Sequence, residues 1–218
     1  MGRRLLAIPA PHILGVAEME TVDLSSYKNP PWHDKGRGFA VRSVWHLVNA
    51  LFLQNPINPS SKLKIVLLRL FGARIGQGVI FKPSVNVKSP WLLEVGDHTW
   101  IGERVWLDSY FPIRIGSHVC VSQDAYLCTG NHDWTDPSFA LKEGRIVIED
   151  GAWIGARATL LPGAHVETHA VIAGGSVLSS VTEPYTIYAG NPAAPIKQRV
   201  IKRTAPNNQS AAPTVLER

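Results

Sequence analysis

Residues 130–134 read GNHDW, which sets His132 beside Asp133 and Trp134, with Asp136 close behind. A free imidazole titrates near about 6.5, so at neutral pH most of it is unprotonated and can accept a proton from an attacking hydroxyl. General-base help of this kind is typically worth about 10²–10⁴ in rate. His132 is therefore the candidate catalytic base. Asp133 and Asp108 are candidates to fix its tautomer or to meet the substrate, and both are equally well explained as solvated corner residues. Trp134 either walls such a site or packs the loop that carries it.

The elements that position these residues follow from a repeat. Aliphatic or aromatic residues recur every six positions at Ile75, Phe81, Val87, then Val95, Ile101, Leu107, then Ile115, Val121, Leu127. The series resumes at Ile148, Ile154, Leu160, Val166, Ile172 and Leu178. An amphipathic helix needs a period of 3.6 and a half-buried strand a period of 2. A period of six with small or glycine residues after the anchors predicts short strands joined by tight turns. Three such sides make a triangular coil, and about five coils stack so that each buries its apolar row against its neighbours. The expected fold is an all-β parallel solenoid. His132 lies where the beat fails: the anchors Leu127 and Ile148 are 21 residues apart, and the polar excursion 129–147 fills the gap. Long loops on a rigid scaffold are where function concentrates.

The same spacing weighs against a metal. His98, His118 and His169 each fall three residues after an anchor, but Gly151 holds that place in the coil between the last two. His165 and His169 are four apart, beyond the excursion. Three convergent ligands are needed, and outward turn positions are the better reading, so no metal is expected. Cys120 and Cys128, the two cysteines, fall on different sides of the coil and read as free thiols of a reducing compartment, the cytoplasm. At 218 residues, 45% hydrophobic, the chain suits one domain with appendages. The charge of +5 comes from dispersed Lys and Arg without a basic stripe interleaved with aromatics, so no nucleic-acid partner is expected; an anionic ligand or a membrane surface fits as well.

The pattern resembles the hexapeptide-repeat, left-handed parallel β-helix acyltransferases. Within them the chain is similar to the colanic-acid type of exopolysaccharide O-acetyltransferase. GRG at 36–38, VNALF at 48–52, LRLFGARIG at 68–76, GNHDW at 130–134 and YAGNPA at 188–193 carry the likeness. It implies left-handed winding, a homotrimer, acetyl-CoA as co-substrate and a sugar or lipid-linked glycan as acceptor. It also implies that His132 is the base of a direct transfer without acyl-enzyme. Donor contacts are expected from Gly155 and Ala156 in WIGARA, from Ala173, Gly174 and Gly175 in VIAGGS, and from Asn191 in YAGNPA. Lys197 and Arg199 either pair with coenzyme A phosphates or belong to a solvated basic helix. Small residues at the donor positions let a ligand approach the backbone, and they equally suit tight turns. Acetylation of a small free sugar or xenobiotic is the alternative activity. A zinc enzyme like the carbonic anhydrases of this fold is a more distant one.

The domain reading is a flexible N-terminal extension at 1–27, a helical segment at 28–72, the β-helix at 73–183, a C-terminal cap including a helix at 184–203, and a disordered tail at 204–218. Pro9, Pro11 and His12 interrupt the apolar N-terminus and argue against a signal peptide. Helices are expected at 39–54 and 61–72. The second places Leu63, Val66, Leu67, Leu70 and Phe71 on one face, with Lys62, Lys64 and Arg69 as cations. Such a pair either caps the open end of the prism, meets a sister subunit, or touches the inner face of the membrane peripherally.

Overall fold

The computed structural model describes residues 20–30 and 36–202. The expected tail at 204–218 and most of the expected N-terminal extension lie outside the described residues.

Three parallel sheets form the sides of a prism. Each rung pairs in register with the rung one coil away, for example Ile75 with Val95, Phe81 with Ile101 and Val87 with Leu107. Every six-residue anchor points inward and is buried, from Ile75 to Leu178. The residue three after an anchor takes a left-handed conformation at the corner, as at Ser84, His98, Arg104, His118, Asp124, Arg157 and His169. That turn places the next residue inward again, which is why Val79, Val85, Thr99, Val105 and Ala125 are buried. The excursion breaks the count without breaking the sheet: Ile146, Val147 and Ile148 pair with Ile113, Arg114 and Ile115 across it.

The first coil would otherwise expose a row of unpaired backbone groups. The helical segment covers it. α1 (Phe39–Val48) runs into a π-helical turn (Asn49–Leu53), and α2 (Ser61–Leu70) follows. Asp, Ser and Asn side chains offer N-terminal caps, and Ser60 fills that role for α2 by accepting from the Leu63 N–H. Each side of the open coil then receives polar partners from the cap. Ser61 Oγ accepts from Phe81 N at 2.9 Å, Asn49 Oδ1 from Val87 N at 3.3 Å, and Trp45 Nε1 donates to Val87 O at 2.8 Å. On the third side the Arg69 guanidinium donates to Ile75 O at 2.7 Å and Gly76 O at 2.9 Å. Trp45, Leu53 and Leu68 join the prism's apolar core, with the Trp45 and Phe71 rings 5.1 Å apart. The inward face of α2 is Lys64 and Leu68 with Ile65, Leu67 and Phe71 beside them, whereas Leu63, Val66 and Leu70 face outward. The expected face is thus turned by about a third of the helix. Lys64 is tolerated inside because its ammonium donates to Asn58 O at 2.6 Å.

Two expectations need correction at the far end. About six turns are present, because Val181 bridges to His165 and Thr186–Gly190 pairs with Val171–Ile172 to begin a coil beyond the five complete ones. The expected C-terminal helix is a strand, Ala193–Gln198, running antiparallel to Thr186–Gly190. An open edge at the last coil needs backbone partners more than a basic helix needs solvent. Pro195, which cannot donate, sits where the ladder shifts register.

A second, smaller unit joins the described N-terminal residues to 131–142. Its Asn131–His132 strand pairs antiparallel with Leu141–Lys142. A 3₁₀ turn, Leu24–Ser26, is capped by the Asp23 carboxylate, and the Asp23 N–H donates to Pro137 O at 2.8 Å. The last residues of the extension expected to be flexible are therefore tied to the excursion.

Candidate active site

His132 sits at the end of its short strand, partly buried. Two successive turns fold the excursion back over it. The Asp133 carboxylate accepts from Thr135 N at 3.0 Å and Thr135 Oγ1 at 2.6 Å, and Asp136 accepts from Ser138 N at 2.7 Å and Ser138 Oγ at 2.8 Å. Short polar side chains that bond the backbone two residues on are a common way to build such turns. The second turn ends at Phe139 in the left-handed region, with φ of 54°. Its carbonyl oxygen lies 2.8 Å from His132 Nδ1, and its ring stacks on the imidazole at 4.4 Å and 11°. The Tyr27 ring lies 5.8 Å from the imidazole at a tilt of 58°.

A carbonyl oxygen can only accept, so His132 Nδ1 donates to it, and in the neutral imidazole the lone pair is on Nε2. That is the tautomer a general base needs. Neither aspartate singled out in the sequence makes this bond. Asp133 is committed to the turn, and the Thr135 hydroxyl and amide hold its carboxyl below the usual carboxylate range. Asp108 lies at a prism corner, buried, with its carboxylate 2.8 Å from Lys88 Nζ and accepting from the Tyr126 hydroxyl at 3.3 Å. Burial, then the neighbouring Cys128 thiol and the Asp108 carboxylate, push the Tyr126 phenol above its ordinary range. Trp134 is 79% exposed.

The donor candidates divide by corner. Gly155, Ala156, Ala173, Gly174 and Gly175 share one corner of adjacent coils, with Gly155 N donating to Ile172 O at 2.7 Å and Gly175 N to Ala156 O at 2.8 Å. A side chain at Gly155 would meet Gly174 N at 2.4 Å, so coil stacking alone demands glycine there. At Gly175 a side chain would meet nothing within 4 Å, which leaves the backbone open outward, though φ of 71° itself favours glycine. Gly190 N donates to Ser176 Oγ at 3.1 Å, which brings the hairpin tip with Asn191 to this corner. The return strand then carries the basic residues away. Lys197 stands opposite Ile187, and Arg199 donates to Gly151 O at 2.8 Å and His169 O at 3.0 Å, at the previous corner. Among the described residues no three His, Cys, Asp or Glu side chains converge as metal ligands. The His98 and His118 rings stack at 5.3 Å.

Sequence reasoning missed Phe139 and Tyr27. The signal for Phe139 was present in the paired DxT and DxS steps at 133–138, which mark consecutive side-chain turns. Tyr27 carries no comparable signal, since it lies about a hundred residues away in sequence.

Comparison with known proteins agrees with this architecture. Residues 145–180 match the family model "Bacterial transferase hexapeptide (six repeats)". The putative colanic acid biosynthesis acetyltransferase WcaF of Escherichia coli (strain K12) is 34% identical over 178 residues, 82% of this chain and 97% of that one. Among solved structures, the hexapeptide-repeat acetyltransferase VCA0836 of Vibrio cholerae, complexed with acetyl coenzyme A, superposes with a TM-score of 0.66 at 23% identity, covering 74% of this chain and 88% of that one. A maltose O-acetyltransferase from Clostridium difficile 630 gives 0.63 at 21% identity, with coverage of 74% and 88%. The chain belongs to the hexapeptide-repeat acetyltransferases with the left-handed parallel β-helix fold, in the family of the colanic acid biosynthesis acetyltransferase.

Proposed function

We propose that this protein is an O-acetyltransferase that moves acetyl from acetyl-CoA to a sugar hydroxyl in the biosynthesis of a colanic-acid-like exopolysaccharide, with His132 as general base. The observation that carries the base is the bond from His132 Nδ1 to the Phe139 carbonyl, which leaves Nε2 free to accept. The Phe139 ring, stacked on the imidazole, holds its plane. In the reaction the acceptor hydroxyl gives its proton to Nε2 as its oxygen attacks the thioester carbonyl. The tetrahedral adduct then expels the coenzyme A thiolate, which takes the proton back from the imidazolium. The products are the sugar acetate and the free thiol, no acyl-enzyme forms, and the base ends as it began.

The donor is read onto the corner of Gly155, Ala156, Ala173, Gly174 and Gly175, with Asn191 at its edge. Of the two basic residues, Lys197 is exposed and able to meet a phosphate, while the Arg199 guanidinium is occupied by main-chain carbonyls. Asp108 and Trp134 are candidates to meet the acceptor. The working assembly in this reading is a cytoplasmic homotrimer acting on a lipid-linked glycan, without metal or nucleic acid.

The test is thiol release from acetyl-CoA against a panel of free hexoses, maltose and lipid-linked glycans, with wild type beside His132→Ala. A fall of about 10² or more in kcat with coenzyme A binding intact is expected. Equal turnover in both proteins refutes His132 as the base. Turnover on free sugars alone favours the small-molecule acceptor.

A further inference from the structure

The helical cap buries one face and leaves apolar residues exposed on the other. α1 and the turn after it bury Trp45, Asn49 and Leu53, and α2 buries Lys64 and Leu68. The opposite faces carry Val44, Leu47 and Leu51 on the first element and Leu63, Val66 and Leu70 on the second. Leu47 and Val66 are each 60% exposed and Leu70 is 76% exposed. Both inner faces seal the same end of the prism, so both outer faces turn away from it.

The charge of this region is one-sided. Between Asp34 and Glu94 the chain runs for 59 residues without an aspartate or glutamate and holds nine of the 22 Lys and Arg. The rest of the chain, with 13 basic and 17 acidic residues, is net negative, so the whole positive surplus belongs to this stretch. Lys62 lies one helical turn before Val66 on the outer side of α2, and Arg69, three residues after Val66, is exposed but turns its guanidinium onto the Ile75 and Gly76 carbonyls. Among the described residues no carboxylate pairs with Arg37, Arg42, Lys62, Lys64 or Arg69. An apolar helical face edged with cations suits an anionic lipid surface. It suits a second cap poorly, because two acid-free faces repel. None of the described helices is long and apolar enough to cross a membrane, so any bilayer contact of the cap is a surface contact.

We propose that the outer face of α1 and α2 docks on an anionic lipid bilayer. Its purpose, presenting the enzyme to a lipid-linked acceptor, rests on the function proposed above; the docking itself does not.

The full-length protein is sedimented with vesicles of phosphatidylcholine alone or with one third phosphatidylglycerol, at low and high salt. Binding to the anionic vesicles that weakens with salt, and little binding to the neutral ones, is expected. Loss of one cation near the surface lowers partitioning about fivefold, so Lys62→Glu, which also adds a repelled charge, lowers it about 25-fold. Leu47→Glu and Leu70→Glu each lower it tenfold or more, with unchanged circular dichroism and unchanged mass by light scattering. No binding to anionic vesicles overturns the proposal, as does binding that the three variants leave intact. If Leu47→Glu or Leu70→Glu splits the assembly into smaller species, the face is a subunit interface and the proposal fails. Vesicle binding is read without turnover: an inactive protein that binds vesicles sinks only the proposed reaction, and an active one that does not bind sinks only the docking.

Discussion

Replacing Asp133 by asparagine or by alanine separates two ways in which a carboxylate beside a histidine base can act. A carboxylate that bonds the ring and stabilises the imidazolium contributes through its charge, and its change to an amide costs about 10⁴ in kcat in a well-studied catalytic triad. Asp133 has a different position. One oxygen, Oδ1, accepts from both Thr135 N and Thr135 Oγ1, while the ring nitrogen Nδ1 is bonded to the Phe139 carbonyl. An asparagine keeps an oxygen at that place and can keep both bonds. Asp133→Asn is therefore expected to retain kcat/KM within about threefold. Asp133→Ala loses both bonds and loosens the turn that presents Phe139 to His132. A net hydrogen bond is typically worth a factor of about 2 to 12 in an equilibrium; two multiply to about 5- to 150-fold, and because this turn is exposed the lower part of that range, about 5- to 30-fold, is expected. The assay is kcat/KM by thiol release across pH, with the acid limb of the profile expected in the same place for all three proteins. A fall of 10² or more in Asp133→Asn, or a displaced acid limb, would show that charge acts directly on the imidazole and refute the reasoning. Wild-type kinetics in Asp133→Ala would refute the turn.

Two further outcomes test the scaffold. Gly155→Ala places a Cβ 2.4 Å from Gly174 N and 2.7 Å from Ile172 O, so the urea midpoint should fall by the equivalent of about 1–3 kcal/mol, and an unchanged midpoint would mean that the coils part easily there. Burial lowers the pKa of Lys64 below its ordinary 10.5, so between the two values the unfolded chain binds more protons and folding stability rises with pH. Urea midpoints measured up to about pH 10.5 should show this rise in wild type and less of it in Lys64→Met; parallel slopes would contradict a buried, desolvated ammonium.

How much of this was legible beforehand differs by element. The six-residue anchors give the prism because inward columns must be apolar in every coil, and each anchor is local information repeated many times. The two helices were legible from their apolar runs, but the buried face of α2 was not. Its pattern contains two apolar stripes, and only the first coil's unpaired groups decide that Ser61 and Arg69 must reach them, which turns Lys64 inward. The C-terminal strand was misread as helix for a similar reason. AAPIKQRV has no strong preference, and the open edge at Thr186–Gly190 supplies one.

The site shows the same division. From residue types and spacing alone, GNHDW in the single large excursion marks His132 as the residue whose chemistry matters, because an imidazole is suited to proton transfer near neutral pH. Which group orients it was decided by the tertiary structure. A backbone carbonyl leaves no trace in the identity of its residue, and the Phe139 carbonyl reaches Nδ1 only because two turns reverse the chain between positions 132 and 139. Likewise the pairing of Arg199 with carbonyls one corner away from the glycines depends on a return strand that local sequence does not announce. Periodicity reports what every coil repeats; a contact made once, between segments that meet only after folding, has no periodicity to report it.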